Sequence, residues 1–437
     1  MKVAVVGAGW AGAAAAWHLH RAGAQVTVYE ASRHLGGRAR SNFSPRLQQR
    51  VDNGQHILLG AYTATLALMQ DIGIDPEQAL RRDDLVIRSA DLSFRLGVAR
   101  LPAPLHLLVG MLQASGLSLG ERWQLMRLCT QLQMRKWRVP LGLTVQQWLE
   151  QGKQSPRLIR LFWQPLCVAA MNTPIQIACA QLFANVLRDS LGAPRQASQS
   201  LIPLQGLSEL WTQQALSLVD LQVGTRVQHL AVQPDGDYQI HNNSYQAVVL
   251  SAQAPHTARM LASLPKIEHS DTLLEQLQAM QHIPIATVYL HLAAPWHLPH
   301  PMWLLHDEPH SLQAGQWLFD HSCLHPTGNT SMLAVVISDA ARLQELDKQT
   351  LIDAIIEQVR TQTQRWAKPM PKVEQAELIM EKRASFAATP GLLRPDNVSP
   401  WKNLYLAGDW TDTGYPGVLE GAVRSGLRAA ELLLQQA

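Results

Sequence analysis

The first thirty residues constrain the fold of this chain more than any other stretch. Residues 2–6 are apolar and typical of a short buried strand, and a glycine-rich turn spans residues 7–12. The pattern predicts a helix over residues 13–21 and a second strand over 25–29, followed by Glu30. Strand, glycine turn, helix and strand in this order are typical of a dinucleotide-binding α/β unit.

The residue types in the turn have physical reasons. Gly7 lets the chain leave the strand sharply, Gly9 lets a pyrophosphate approach the backbone, and Gly12 lets the helix lie close to the sheet. Residues at the helix start, such as Ala11, offer free N–H groups to phosphate. The carboxylate of Glu30 is placed to accept hydrogen bonds from ribose hydroxyls. The alternative is a glycine-rich turn in an ordinary α/β protein, and the motif alone leaves NAD and FAD open.

Two further runs bear on the cofactor. A glycine pair and Arg38 follow Glu30, and they predict a second close backbone approach beside a cation, suited to a second phosphate contact. Near the C-terminus, residues 403–409 are typical of a strand that runs into a Gly-Asp turn, and residues 414–426 open a helix.

These runs resemble the signature of the flavoprotein family that includes monoamine oxidases, phytoene desaturases and protoporphyrinogen oxidases. The resemblance implies FAD as cofactor and an α/β fold, with a Rossmann-like FAD-binding domain of the glutathione-reductase/amine-oxidase type and an α+β substrate domain. It assigns Asp409 to the ribityl–phosphate region of the flavin, and the backbone of Val418 and Leu419 to its pyrimidine edge. A helix N-terminus there would stabilise negative charge on reduced flavin.

Residues 51–60 resemble the family's D-x-G segment, which lies against the isoalloxazine ring. Gly54 would allow close approach, and Gln55 and His56 would be polar groups near the reacting edge, although His56 could equally be a structural histidine. By resemblance, Val227 contacts the adenine. The expected FAD-binding residues are Gly7, Gly9, Ala11, Gly12, Glu30, Ala31, Gly37, Arg38, Gly54, Gln55, His56, Val227, Gly408, Asp409, Gly417, Val418 and Leu419.

The chain length of 437 residues suggests two domains. We expect a discontinuous FAD-binding domain and a substrate-binding domain that is likewise interrupted. The first is predicted to comprise residues 1–75, 204–254 and 393–437, and the second residues 76–203 and 255–392.

Composition excludes several classes of partner. A net charge of +3 is small for this length, so we expect no nucleic acid as a partner.

The cysteines and histidines bear on location and metal binding. Four cysteines without metal or disulfide spacing, together with an N-terminus that enters a strand directly, predict a cytoplasmic protein. They are Cys129, Cys167, Cys179 and Cys323. Seven histidines lack regularly spaced partners, so we expect no metal site. They are His291, His297, His300, His306, His310, His321 and His325.

Residues 101–138 of the predicted substrate domain bear on membrane contact. Residues 101–120 carry no charge but are interrupted by Pro102, Pro104, Gly110 and Gly116, which argues against a membrane-spanning helix. Residues 121–138 have helical spacing of apolar side chains and end in basic residues. Two interpretations stay open: peripheral contact with the inner face of the cytoplasmic membrane, or an ordinary helical core.

The branch of the family is indicated by features that are less specific than the cofactor motifs. Val418 stands where amine oxidases have a cage tyrosine, and no lysine occurs between Lys266 and Lys348, where they have a flavin-facing lysine. The segments at residues 51–62 and 404–416 resemble the squalene-associated branch. That resemblance implies an isoprenoid substrate, the reduction of hydroxysqualene to squalene in hopanoid biosynthesis, and association with other squalene-pathway enzymes.

The catalytic candidates are His56, as an acid or a water-positioning group, and Tyr415. The rival functions are a carotenoid-type desaturase, which transfers hydride in the opposite direction, and a non-catalytic flavin-bound lipid carrier.

Overall fold

A parallel five-stranded sheet carries the N-terminal glycine turn. The computed structural model describes residues 1–101, 105–308, 311–321 and 331–436. The strands of this sheet are β1 (Lys2–Val6), β2 (Gln25–Glu30), β10 (Asp220–Val223), β14 (Ala247–Leu250) and β20 (Leu404–Leu406). Their order is β10–β2–β1–β14–β20, and every neighbouring pair is parallel. The carboxyl ends of the strands therefore share one edge, where ligands bind in such sheets.

Both faces of this sheet are covered, which explains the continuous apolar strands. Val3 and Val5 pack on one face with helices α1 (Trp10–Arg21) and α15 (Leu419–Gln435), while Ala4 and Val6 join the larger core on the other. Glycine allows the two helices to lie close together, because a Cβ on Gly426 would overlap the backbone of Ala11.

A second sheet of five antiparallel strands faces the first across a cavity. Its strands are β15 (His282–Leu292), β16 (Met302–Leu304), β17 (Trp317–Asp320), β18 (Ser331–Ile337) and β19 (Val373–Phe386), in the order β16–β17–β18–β15–β19. Helix α14 (Lys348–Gln362) packs on one face of this sheet through Leu351, Ile355 and Val359. The other face is free to line the cavity.

The remaining strands form small sheets. A hairpin joins β3 (Ser41–Ser44) to β4 (Gln49–Asp52), and another joins β7 (Val86–Arg88) to β8 (Arg95–Gly97). A three-stranded meander comprises β11 (Ala231–Val232), β12 (Tyr238–Ile240) and β13 (Asn243–Tyr245). Strands β5 (Leu58–Leu59), β9 (Ser200–Pro203) and β6 (Leu80–Asp83) form the last sheet, which connects segments from both predicted domains.

Helices fill the segments between the strands. They are α2 (Thr63–Asp71), α3 (Pro76–Ala79), α4 (Leu105–Leu112), α5 (Leu119–Met134), α6 (Val145–Gln151), α7 (Pro156–Leu158), α8 (Gln164–Met171), α9 (Ala180–Asp189), α10 (Leu207–Leu210), α11 (Thr212–Leu216), α12 (Ala254–Leu261) and α13 (Ser270–Ala279). Shorter turns of other types are a π-helix at Ile159–Trp163 and 3₁₀ turns at Arg195–Ser198 and Ala340–Leu343.

Two predicted helices differ from the structure. The residue pattern over 209–218 also predicts a single helix, but the structure has two, α10 and α11, divided at Trp211, whose φ is −160°. The indole of Trp211 is fully buried and lies edge-on to Trp10 at 5.1 Å, so tertiary packing overrides local helix propensity. The helix expected over 121–138 begins earlier, because Ser118 and Glu121 form a capping box.

The structure leaves the predicted domain division untested, and it stays a prediction. Across the residues that the structure describes, no helix is both long and apolar enough to cross a bilayer. The same residues contain no group of three His, Cys, Asp or Glu side chains that could hold a metal ion. Pro102, Pro104, His310, Cys323 and His325, which the sequence analysis considered, lie outside the described residues.

Candidate active site

A cavity of about 1110 Å³ lies between the carboxyl edge of the parallel sheet and the antiparallel sheet. Pockets for a single drug-sized ligand usually measure about 300–1,000 Å³, so this one has room for a large cofactor and part of a substrate. Every expected FAD-binding residue except Gly12 lines it. Gly12 lies beneath the turn, where a Cβ would overlap the carbonyl oxygen of Gly7.

Two glycine turns meet at one end of the cavity. The N–H of Gly36 donates to the carbonyl of Ala8 at 2.9 Å, which holds the second turn against the first. Gly36 and Gly37 have φ values of +94° and +64°, and a Cβ on Gly37 would lie 3.0 Å from the Cα of Gly9. Only glycine suits these positions, and the result is a backbone surface that a pyrophosphate can approach.

Glu30 lies at the end of β2 beside these turns. Its two carboxylate oxygens accept the N–H groups of Ala8 and Ser32, each at 2.8 Å. These bonds orient the carboxylate, and each oxygen keeps a second lone pair for a ribose hydroxyl.

Two helix N-termini open on the same cavity. Helix α1 starts after Gly9 and helix α15 starts after Val418, and neither N-cap residue caps the helix with a side chain. Trp10, Ala11, Val418 and Leu419 all line the cavity. The first N–H groups of both helices are therefore available to a ligand with negative charge.

Arg38 has a different environment from the one expected. Its guanidinium binds both carboxylate oxygens of Asp409, at 2.5 and 3.1 Å, and also donates to the carbonyl of Ala384 at 2.8 Å. The pair ties the N-terminal turn to the C-terminal turn and to β19. Because Asp409 already neutralises this cation, the predicted phosphate contact of Arg38 depends on rearrangement of the pair. Arg226 and Arg259, which sequence reasoning missed, also line the cavity.

His56 has one ring nitrogen committed to the backbone. Its Nδ1 lies 2.8 Å from the carbonyl oxygen of Gly54, which can only accept, so Nδ1 carries the hydrogen of the neutral ring and Nε2 is an acceptor. Burial lowers the pKa of His56, and the charge of Arg38 adds to this effect. This geometry favours the water-positioning role over the role of an acid.

Tyr415 belongs to a separate polar cluster on the cavity wall. Its hydroxyl donates to Asp189 at 2.6 Å, and Arg188 donates twice to the same carboxylate, at 2.6 and 2.8 Å. Burial raises the pKa of Tyr415, and the hydrogen bond to Asp189 raises it further. A phenol held on a carboxylate is a poor acid, so this position favours a structural or orienting role.

The part of the cavity beyond the cofactor residues is mostly apolar. Its wall combines side chains from β7 and the residue before it, from helix α8 and from the antiparallel sheet. They are Leu85, Ile87, Leu166, Ala169, Ala170, Met171, Ile285, Met302, Trp317, Phe319 and Val336. No sequence motif marks these residues, because they lie on many separate elements.

Asp52, in the D-x-G segment, is a buried carboxylate. Its Oδ1 accepts the hydroxyl of Ser41 at 2.5 Å and the N–H of Leu207 at 3.3 Å. Burial raises its pKa to about 6, and the two hydrogen bonds oppose the shift without cancelling it.

We expect Asp52 to make the folded state less stable between pH 4 and 6. Below about pH 4 the carboxyl is protonated in both states and its contribution is fully present. As the pH rises to about 6, the unfolded chain ionises first, so the free energy of unfolding falls by about 3 kcal/mol for this group. Denaturant unfolding at pH 4, 5, 6 and 8 measures this effect. The free energy of unfolding should change less with pH in Asp52→Asn than in wild type.

The exposed Asp353 on α14 provides a control for the loss of one charge. Asp353→Asn should keep the wild-type pH dependence. Equal pH dependence of Asp52→Asn and wild type would contradict the assignment.

These features together fit FAD. The side-chain-free glycine surface, the oriented Glu30 carboxylate and two uncapped helix N-termini lie in one cavity. They suit a pyrophosphate, a ribose and the electron-rich edge of a reduced flavin respectively.

Comparisons with known proteins agree with this geometry. Residues 10–434 match the family described as flavin containing amine oxidoreductase. A hydroxysqualene dehydroxylase from Rhodopseudomonas palustris is 32% identical over 99% of this chain and 98% of its own length. A zeta-carotene desaturase from Synechocystis is 22% identical over 99% of this chain and 97% of its own.

The solved structure of cyclohexylamine oxidase from Brevibacterium oxydans superposes with a TM-score of 0.71 at 16% identity, covering 100% of this chain and 99% of that one. At this identity the likeness concerns the fold. The chain therefore belongs to the flavin containing amine oxidoreductase family, in the branch of the hydroxysqualene dehydroxylases, and is an FAD-dependent oxidoreductase.

Proposed function

We propose that the protein reduces hydroxysqualene to squalene. The observation that carries the proposal is a single cavity in which the cofactor residues adjoin a long apolar wall. In the reaction one C–O bond breaks and one C–H bond forms, while a hydride and a proton are consumed and water leaves. When bound, reduced FAD supplies the hydride and becomes oxidised.

The apolar wall has two tasks in this scheme. Its aliphatic side chains bind the isoprenoid chain and exclude water, which would otherwise capture an allylic cation. The aromatic faces of Trp317 and Phe319 lie in the same wall and can stabilise a passing positive charge.

The test is a single turnover under anaerobic conditions. The holoenzyme, with its flavin chemically reduced, is mixed with hydroxysqualene, and squalene is followed by mass spectrometry while absorbance reports flavin oxidation. Squalene should appear in proportion to oxidised flavin. Flavin that stays reduced, with no squalene formed, would contradict the proposal.

The similarity to a zeta-carotene desaturase keeps hydride transfer in the opposite direction as the second candidate. That activity needs oxidised FAD and a saturated isoprenoid, and it gives a more unsaturated product. Flavin reduction by such a substrate would favour it. No redox reaction with either substrate would favour a lipid carrier.

For His56 we propose the role of an acceptor that positions water or the substrate hydroxyl. His56→Ala is expected to lower the single-turnover rate per bound FAD about 100-fold, and His56→Gln, which keeps an acceptor, should lose less. Because an acceptor must be neutral and burial lowers the pKa of His56, activity should persist as the pH falls through the ordinary histidine value of about 6.5 and should decline only at lower pH. Near-normal turnover by His56→Ala would remove the role, and loss of activity as the pH rises would indicate an acid.

We also propose that helices α4 and α5 contact a membrane peripherally. Leu119 and Trp123 are 81% and 65% exposed, Leu105 and Leu112 are exposed on the neighbouring helix, and basic side chains follow α5. Apolar side chains beside cationic ones suit the surface of an anionic bilayer. Association with other squalene-pathway enzymes and a location on the inner face of the cytoplasmic membrane stay predictions.

Co-sedimentation with phosphatidylglycerol vesicles tests the contact. Leu119→Glu combined with Trp123→Glu should weaken binding at least about tenfold, because two apolar anchors are lost. Leu393→Glu, at a leucine that is 72% exposed on a different segment, is the matched control and should bind like wild type. Equal binding by all three proteins would contradict this contact.

A further inference from the structure

We infer that Tyr62 donates a hydrogen bond to the hydroxyl group of the substrate. The inference rests on the proposed function, since it names the group that recognises the oxygen to be removed. It concerns a phenol on the cavity wall that the sequence motifs leave without a role.

Three tyrosines line the cavity, and their hydroxyls differ in whether they have a hydrogen-bond partner. The Tyr29 hydroxyl lies 2.7 Å from that of Tyr245, and the Tyr415 hydroxyl donates to Asp189 at 2.6 Å. The hydroxyl of Tyr62 makes no hydrogen bond to any residue in the described part of the chain. The hydroxyl oxygen of Tyr62 also keeps some solvent-accessible surface. A ligand in the cavity can therefore reach it.

The place of Tyr62 in the fold puts it beside the residues expected at the pyrimidine edge of the flavin. Its backbone N–H donates to Leu59 at 2.9 Å, and helix α2 begins at the next residue. Two residues further on, the N–H of Ala64 donates to the carboxylate of Glu420 at 2.9 Å. Glu420 follows Leu419 at the start of α15, the backbone that the family resemblance assigns to the flavin ring.

The carboxylate of Glu420 does not accept a hydrogen bond from the hydroxyl of Tyr62. Its carboxylate accepts the N–H groups of Ala64 and Thr65, the hydroxyl of Thr65 and the Nε of Arg424, all within 3.0 Å. These bonds occupy the carboxylate and leave the hydroxyl of Tyr62 for another acceptor. Burial and the charge of Glu420 raise the pKa of Tyr62, so the phenol stays protonated and can donate.

An alcohol offers one donor and two acceptor lone pairs. Tyr62 supplies a donor and Nε2 of His56 supplies an acceptor, and both residues line the same cavity. A hydrogen bond donated to the oxygen makes the hydroxyl a better leaving group. The hydrocarbon product can make neither bond, so the unpaired polar groups should favour its release.

Binding measurements test the inference separately from turnover. Hydroxysqualene and squalene are titrated, in detergent micelles, against the oxidised holoenzyme, where no hydride can be transferred. Wild type should bind hydroxysqualene about tenfold more tightly than squalene. Tyr62→Phe should lose that preference, bind squalene like wild type and retain FAD.

Ser338 provides a matched comparison, because this residue also lines the cavity and its side-chain hydroxyl makes no hydrogen bond within the described residues. Ser338→Ala should keep the preference for hydroxysqualene. Loss of the preference in Ser338→Ala but not in Tyr62→Phe would overturn the assignment.

Two other results keep the inference falsifiable. Should Tyr62→Phe fail to fold, equal affinity of wild type for hydroxysqualene and squalene would still contradict it. If wild type forms no squalene in a single turnover, the proposed function fails. If wild type forms squalene and Tyr62→Phe forms it at the same rate and with the same binding preference, the role of Tyr62 alone fails.

Discussion

Replacing Arg38 by alanine is expected to lower the free energy of unfolding by about 3–5 kcal/mol and to release FAD. The guanidinium holds both oxygens of Asp409, whose side chain is 6% exposed, and also binds the carbonyl of Ala384. Without the guanidinium, a nearly buried carboxylate has lost its counter-charge. The N-terminal turn, the C-terminal turn and β19 also lose the hydrogen bonds that join them at this point. Denaturant unfolding and the flavin absorbance of the purified protein would measure the two effects.

A double substitution separates stability from cofactor binding. Arg38→Met with Asp409→Leu removes both charges and keeps similar side-chain volumes, so much of the lost stability should return. FAD retention should not return, because the polar groups of both turns are gone. A single Arg38→Ala variant with wild-type stability and full FAD content would contradict the importance of the pair.

Gly12→Ala is expected to cost about 3 kcal/mol of stability and to lower FAD content. An added Cβ would overlap the carbonyl oxygen of Gly7 and crowd the hydroxyl of Ser251, and backbone atoms cannot move aside as a flexible side chain can. Helix α1 would have to shift away from the sheet, and its N-terminus would move relative to the pyrophosphate. Chemical unfolding and flavin content measure both consequences.

Gly120 offers the same chemical change at an open position. It lies exposed in the first turn of α5, and its added Cβ would meet only Ser118 Oγ, at 3.9 Å. Gly120→Ala should leave stability unchanged or raise it by up to about 1 kcal/mol, because alanine favours helix. Equal destabilisation by the two substitutions would show that overlap at Gly12 is not the cause.

Local patterns predicted the elements that depend on neighbouring residues. The strand at residues 2–6 has the predicted bounds and the strand predicted over 25–29 extends one residue further, to Glu30, because runs of apolar and β-branched residues specify buried strands directly. The first helix starts three residues earlier than predicted, at Trp10, since the glycine turn itself carries the first helical residues.

The family and the cofactor could likewise be predicted from the sequence. Residue type and spacing are enough where glycine is required by positive φ or by close backbone approach, as at Gly36 and Gly37. Such requirements are local, and a motif records them. The roles assigned to individual FAD-binding residues stay predictions, although nearly all of these residues lie on one cavity wall.

Local residue patterns are enough to identify the dinucleotide-binding unit, the family and the residues of the two glycine turns. Packing of distant segments places Arg38 on Asp409, divides a helix at Trp211 against Trp10, and leaves the Tyr62 hydroxyl beside the cavity without a hydrogen bond to the described residues. These two kinds of feature differ in sequence separation. A local motif fixes backbone angles within a few residues, whereas the partner of a side chain is chosen among groups that only the packed sheets and helices bring together.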